Sequence, residues 1–113
     1  MTATPEHTAH CLRCGRRITS ARAIATGYGP GCLVKIRKAA ASGLLADYST
    51  RQREDATELV ELGGVVPLRR RVFLTVGSHG ETYRTAATGQ CNCRSGLAGR
   101  RCYHGAAALM VAA

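Results

Sequence analysis

Bulky aromatic side chains are nearly absent from this chain: there is no Trp and a single Phe, and aromatics make up 4% of 113 residues. Small residues, Ala and Gly above all, take their place. Each buries little surface, and apolar burial contributes only about 25 cal/mol per Å². The scarcity argues against a thick core, and units this small are marginal unless metals or disulfides staple them. Long apolar runs are missing too. The longest, in the closing AAALMVAA, falls well short of the ~20 residues that a membrane-spanning helix needs. The opening MTATPEHTAHCLRC lacks the basic-then-apolar pattern of a secretory signal. These absences lead to the expectation of a soluble, cytoplasmic protein, where paired cysteines more often hold metal than each other. Catalytic signatures are also wanting, with neither HExxH nor HxE…PCxxC present, and no enzyme activity is expected.

Acidic residues are few as well, 7 Asp and Glu against 16 Lys and Arg, for a net charge of +9. The balance is uneven along the chain. Residues 1–41 carry seven basic residues against Glu6, a net +6; residues 42–64 carry two against five acids, a net −3; residues 65–113 carry seven against Glu81, a net +6. Two basic ends flank an acidic middle. Such charge is either solvated surface or an electrostatic footprint for nucleic acid or an acidic partner.

The pattern divides the chain into three expected parts. Residues 1–45 form an N-terminal module, in which CLRCGRRITS supplies a CxxC and a β-prone step. The run GYGPG forces a turn ahead of Cys32, and CLVKIRKAAA has helical composition. Leu33, Ile36, Ala40 and Leu44 are expected on one face of that helix, with Lys35, Arg37 and Lys38 outward. Residues 46–64 are expected as an acidic connector helix. Ser49 and Gln52 offer a capping box, Leu59 and Leu62 part of an apolar stripe, and Gly63 the C-terminal cap. Residues 65–113 read as a hairpin, RRVFLTV and ETYRTAA joined by GSHG, followed by TGQCNC, a Gly- and Arg-rich loop and a closing helix. The expected fold class is a small zinc-stabilised α+β protein.

Six cysteines and four histidines are what this composition offers in place of bulk. Cys91, Cys93, Cys102 and His104 follow the spacing C-x-C-x8-C-x-H, and three thiolates with one imidazole satisfy tetrahedral zinc. Upstream, Cys11, Cys14 and Cys32 form a CxxC knuckle followed by a turn and a helix bearing a third thiol, a treble-clef-like logic that needs a fourth ligand. His7, in H-x3-C, has the easier reach; His10, adjacent to Cys11, and a water are the alternatives. A redox CxxC would open a helix after a strand, whereas this one is followed by Gly15 and a β-prone step. Two Zn²⁺ ions are therefore expected. His79, alone in the GSHG turn, is expected to be solvated.

The stretch from VFLTVGSHGETYRTAATGQCNC to RRCYHGAAALMVAA resembles a SWIM-type zinc finger over residues 69–113. The likeness lies in CxC, a gap and CxH, in Tyr83 on the strand before CxC, and in the small apolar helix beyond His104. The resemblance implies a ββα finger held by Cys91, Cys93, Cys102 and His104, and a role in contacts with DNA or protein. Over residues 10–35, Cys11, Cys14, Gly15, Arg16, Gly29, Pro30 and Cys32 resemble an uncharacterised domain that recurs in actinobacterial and actinophage proteins. That resemblance implies zinc binding and little else.

The functional expectation is binding through basic patches, duplex DNA first. Candidate contacts are Arg16, Arg17, Lys35, Arg37 and Lys38 around the first site, and Arg69, Arg70, Arg71, Arg94, Arg100 and Arg101 around the second. So few aromatics argue against a dedicated single-strand reader. The alternative is a protein-interaction module, such as a phage-encoded adaptor or inhibitor, for which the acidic helix with Glu54, Asp55, Glu58 and Glu61 offers a surface.

Overall fold

The computed structural model describes residues 9–113. Around the first CxxC the chain doubles back through a bridge between His10 and Arg17, with Gly15 at φ 80° completing the turn. Helix α1 (Ala21–Thr26), absent from the sequence expectation, follows. It starts where the Ser20 hydroxyl accepts from the Ala23 N–H and stops at Gly27 in the left-handed region. Helix α2 (Pro30–Ala41) opens with Pro at its first turn, where the missing N–H costs nothing. Its buried face is Cys32, Leu33, Ile36 and Ala39, with Lys35, Arg37 and Lys38 outward as expected. Leu44 is 44% exposed; a 3₁₀ turn over Gly43–Leu45 rotates Leu45 inward instead.

Helix α3 (Thr50–Glu61) begins with the capping box that Ser49 and Gln52 predict, both reciprocal hydrogen bonds being present. Its expected stripe needs correction. Leu59 is buried, but Leu62 is 76% exposed, because the helix ends at Glu61 and Gly63 turns the chain away. Ala56, Leu59 and Val60 bury a face of this acidic helix in the core, so it is more than a solvated connector.

Three strands follow as an antiparallel meander: β1 (Val65–Arg69), β2 (Val72–Val76) and β3 (Thr82–Ala86). The hairpin of β2 and β3 is the expected one; β1 is additional. Pro67 is tolerated in β1 because that strand lies at the sheet edge, beside an irregularity in the pairing with β2. Phe73, Thr75 and Thr85 point inward. A short helix α4 (Arg94–Leu97) breaks the Gly- and Arg-rich loop, and helix α5 (Tyr103–Ala112) closes the chain.

Helix α5 is the hub of the core. Ala106, Ala107, Ala108 and Met110 have no exposed surface, and α5 touches α2, α3, β2 and β3. A helix apolar on every side has to be surrounded, and a run of alanines lets its neighbours approach closely. The core gains by proximity what it lacks in bulk. Gly105 permits one such approach: a side chain there would collide with the carbonyl of Gly89. Among the described residues no helix is long and apolar enough to cross a membrane.

Candidate metal centres and an arginine-lined groove

The tight turn after β3 builds the second cysteine cluster. The Ala86 N–H donates to the Gln90 carbonyl at 2.7 Å, which brings Cys91 back opposite Thr85. Cys93 then caps α4, its sulfur accepting from the Gly96 N–H at 3.4 Å. A side chain at Gly96 would run into the Cys91 carbonyl, so the CxC pair and the following turn can nest only around glycine. Cys102 occupies the N-cap position of α5 without a side-chain capping bond, and His104 lies in that helix's first turn. The result gathers Cys91, Cys93, Cys102 and His104, all buried, with their donor atoms within 4.8 Å of one another.

This donor set fits a metal ion. Both ring nitrogens of His104 are buried and have no hydrogen-bond partner. An orphaned buried polar atom costs about 1–3 kcal/mol, a penalty that coordination by one nitrogen relieves. The ring is held between Tyr83 on β3, centroid 5.2 Å away, and Tyr103, 4.2 Å away. The sulfurs compete for protons. A hydrogen bond with Cys102 holds the Cys91 thiol well below the ordinary thiol range, and the same bond pushes Cys102 up. A thiolate is thus favoured in the cluster, the form in which sulfur binds metal.

A supporting hydroxyl pair had no signal in the sequence. The Thr85 hydroxyl donates to the Cys91 sulfur at 3.3 Å, and Thr75 is bonded to Thr85 at 2.9 Å, both threonines being fully buried. This relay leads from the middle of β2 through β3 to a ligand. Only the pairing register reveals it, because Thr75 and Thr85 are ten residues apart and face the same way.

The first cluster joins Cys11, Cys14 and Cys32, again with sulfurs within 4.8 Å. Cys11 and Cys32 are buried and Cys14 is exposed. Burial acts to raise Cys11, but backbone N–H groups of Gly29, Cys14 and Arg13 outweigh it and lower the thiol to about 7. Burial pushes Cys32 up. All six cysteines are free of disulfides, as metal ligation requires. His10 is exposed and engaged in the bridge to Arg17, and it is not part of the cluster. His7, the favoured fourth ligand, lies outside the described residues. His79 is exposed, as expected, and its N–H donates to the Glu81 carboxylate at 2.9 Å.

The basic residues fall into separate groups. A groove of about 750 Å³ beside the second cluster is lined by Arg69, Arg100 and Arg101 together with Arg84, which the sequence reading passed over. Arg69 also borders a neighbouring hollow of about 580 Å³ with Arg13, Arg70 and Arg71. Neither concavity is lined by an Asp or Glu side chain. Arg16, Arg17 and Lys35 line a third hollow, at the first cluster. Arg94 and Lys38 are exposed outside these groups. Arg37 is committed elsewhere, paired with Glu61 at 2.8 Å between α2 and α3, and Arg101 approaches Asp47 at 3.5 Å.

Residues 1–37, which include all three donors of the first cluster, match the model of a family described as a family of unknown function, DUF6011. No curated protein and no solved structure matches the chain.

Proposed function

We propose that the protein is a non-catalytic, cytoplasmic two-zinc module that binds nucleic acid, duplex DNA foremost, along the arginine-lined groove. Zinc is the metal suited to a set of three thiolates and an imidazole. Four protein donors at the second site leave no open position for a substrate on a tetrahedral ion. In this reading the second cluster with its strands and α5 is a SWIM-like ββα finger, and the first, with His7 as fourth ligand, a treble-clef-like knuckle.

The observation that carries the reading is charge segregation. Seven arginines line two concavities joined at Arg69, and no Asp or Glu among the described residues lines either one. Arg13 is held at the end of α5 and Arg101 lies 3.5 Å from Asp47, while the other five have no acidic partner among the described residues. The acids Glu54, Glu58 and Glu61 lie in a different hollow, between α2 and α3, which they share with Arg37 and Arg53. Arginine forks grip phosphates bidentately, and each neutralised phosphate adds about −0.9 to the slope of log affinity against log salt. The test is binding to random duplex DNA at low and moderate salt. A slope worth several phosphates, reduced by charge reversal of Arg100 and Arg101 with the melting temperature kept, is the expected result. Negligible affinity at low salt defeats the reading.

A second reading, a protein-interaction module, draws on a different hollow. Asp55, Glu58 and the exposed Leu62 border it, an acidic and apolar mixture that suits a protein and repels phosphate. Pull-down from a lysate with and without nuclease separates the two, since a partner retained after nuclease favours this one.

A further inference from the structure

The two cysteine clusters lie at opposite ends of the same helix. At its start, α5 presents Cys102 as N-cap and His104 in the first turn. At its far end stands Arg13, the second residue of the x-x pair inside Cys11-x-x-Cys14. Its Nε donates to the Val111 carbonyl at 3.3 Å and its Nη2 to the Ala113 carbonyl, while its Nη1 reaches the Cys32 sulfur at 3.7 Å. One guanidinium therefore touches a ligand of the first cluster and the terminal carbonyls of the helix that carries two ligands of the second.

Both ends of this arrangement are electrostatically suited to it. The last carbonyls of a helix lack intrahelical donors and carry partial negative charge, which a cation there offsets by about 0.3–1 kcal/mol. Three thiolates on a divalent ion leave a net negative charge at the first cluster, which Arg13 also faces. Packing reinforces the link: Cys11, Cys32 and the buried face of α5 belong to one continuous apolar cluster, and α2, which bears Cys32, lies directly against α5.

We infer that the two metal sites load cooperatively, with Arg13 and α5 as the coupling element. Metal at the first cluster fixes the CxxC turn and so the Arg13 side chain. Arg13 then holds the end of α5, and a settled α5 presents Cys102 and His104 together. Linkage makes the effect reciprocal: each ion raises the affinity for the other by the same factor.

The inference rests on the metal-binding reading, and the experiment separates their failures. The full chain is loaded with cadmium, whose NMR signals resolve the two sites, and each site's affinity is measured by chelator competition. In Cys93→Ser, which disables the second site, the first is expected to weaken by about fivefold or more, the lower end of common coupling factors. Cys14→Ser is expected to weaken the second site by the same factor. In an Arg13→Gln background the additional loss from Cys93→Ser should shrink below about twofold. If Cys93→Ser does not fold, Arg13→Gln with all its donors is titrated against the parent: the two cadmium signals should fall together in the parent and separately in Arg13→Gln. Site affinities that ignore each other, or coupling that survives Arg13→Gln undiminished, overturn the inference while leaving metal binding intact. A chain that binds no cadmium or zinc at either site removes the metal reading itself.

Discussion

The phenolic hydroxyl of Tyr28 donates to the backbone carbonyl of Val65 at 2.8 Å, and both residues are essentially without exposed surface. This bond ties the segment between the first cluster's ligands to the first strand of the sheet, thirty-seven residues away. Burial raises the Tyr28 pKa well above the ordinary value, so the group remains a donor throughout the physiological range. Tyr28→Phe keeps the ring and removes the donor, leaving the Val65 carbonyl one partner short. The expected cost is about 1–2 kcal/mol, read as a drop of several degrees in the thermal midpoint at unchanged zinc content.

Glycine positions separate what the backbone forbids from what it only permits. At Gly105 a methyl group would press on the Gly89 carbonyl, and at Gly96 on the Cys91 carbonyl; backbone cannot swing aside as a side-chain tip can. Gly105→Ala and Gly96→Ala should each cost about 1–3 kcal/mol, and Gly96→Ala should also loosen metal at the second cluster. Gly31 in α2 faces open space, so Gly31→Ala should be neutral or stabilise by up to about 1 kcal/mol. Urea midpoints for the three variants check the ordering.

Acid should strip both sites. Every donor binds in its deprotonated form, so protons compete for three thiolates and an imidazole at the second cluster, and affinity falls as pH falls. Zinc per chain, measured after dialysis at stepwise lower pH, should drop from about two ions at neutral pH, with loss of helical circular dichroism alongside. Helix content that persists after the metal has gone would show that the alanine-packed core stands without it.

What could be read from the sequence was what local spacing encodes. The C-x-C and C-x-H pairs announce a gathered set of four donors, which the fold brings within 4.8 Å of one another, and Ser49 with Gln52 announces a helix start. Features that depend on three-dimensional surroundings stayed hidden. Strand β1 is masked by Pro67 and the preceding Gly63–Gly64, which read as loop until the edge position explains them. Leu45 and Leu44 exchange roles because a 3₁₀ turn changes the periodicity by which the helix face is counted. The central place of α5 is invisible in AAALMVAA, since an alanine run has no polar side to orient it. Arg13 reads as one more basic residue, and its contact with Val111 crosses almost the whole chain.

The threonine relay offers a test of how far the fold tunes metal affinity at the second cysteine cluster. Thr85 donates its only hydroxyl proton to the Cys91 sulfur, which stabilises negative charge there, and Thr75 supports it from the neighbouring strand. Thr85→Val preserves shape and β-branching in a fully buried position but removes the donor. Without it the thiolate is less stabilised and less firmly aimed, although all four ligands remain. Loss of such a supporting group typically costs about 10–100-fold in metal affinity. The freed Thr75 hydroxyl still has the Tyr83 carbonyl at 3.5 Å, so the penalty to the fold should be small. Chelator competition should therefore show weaker metal at the second site, with thermal stability of the zinc-saturated protein close to the parent's. Equal affinities would mean that the hydroxyl pair serves only to fill the space beneath the sheet.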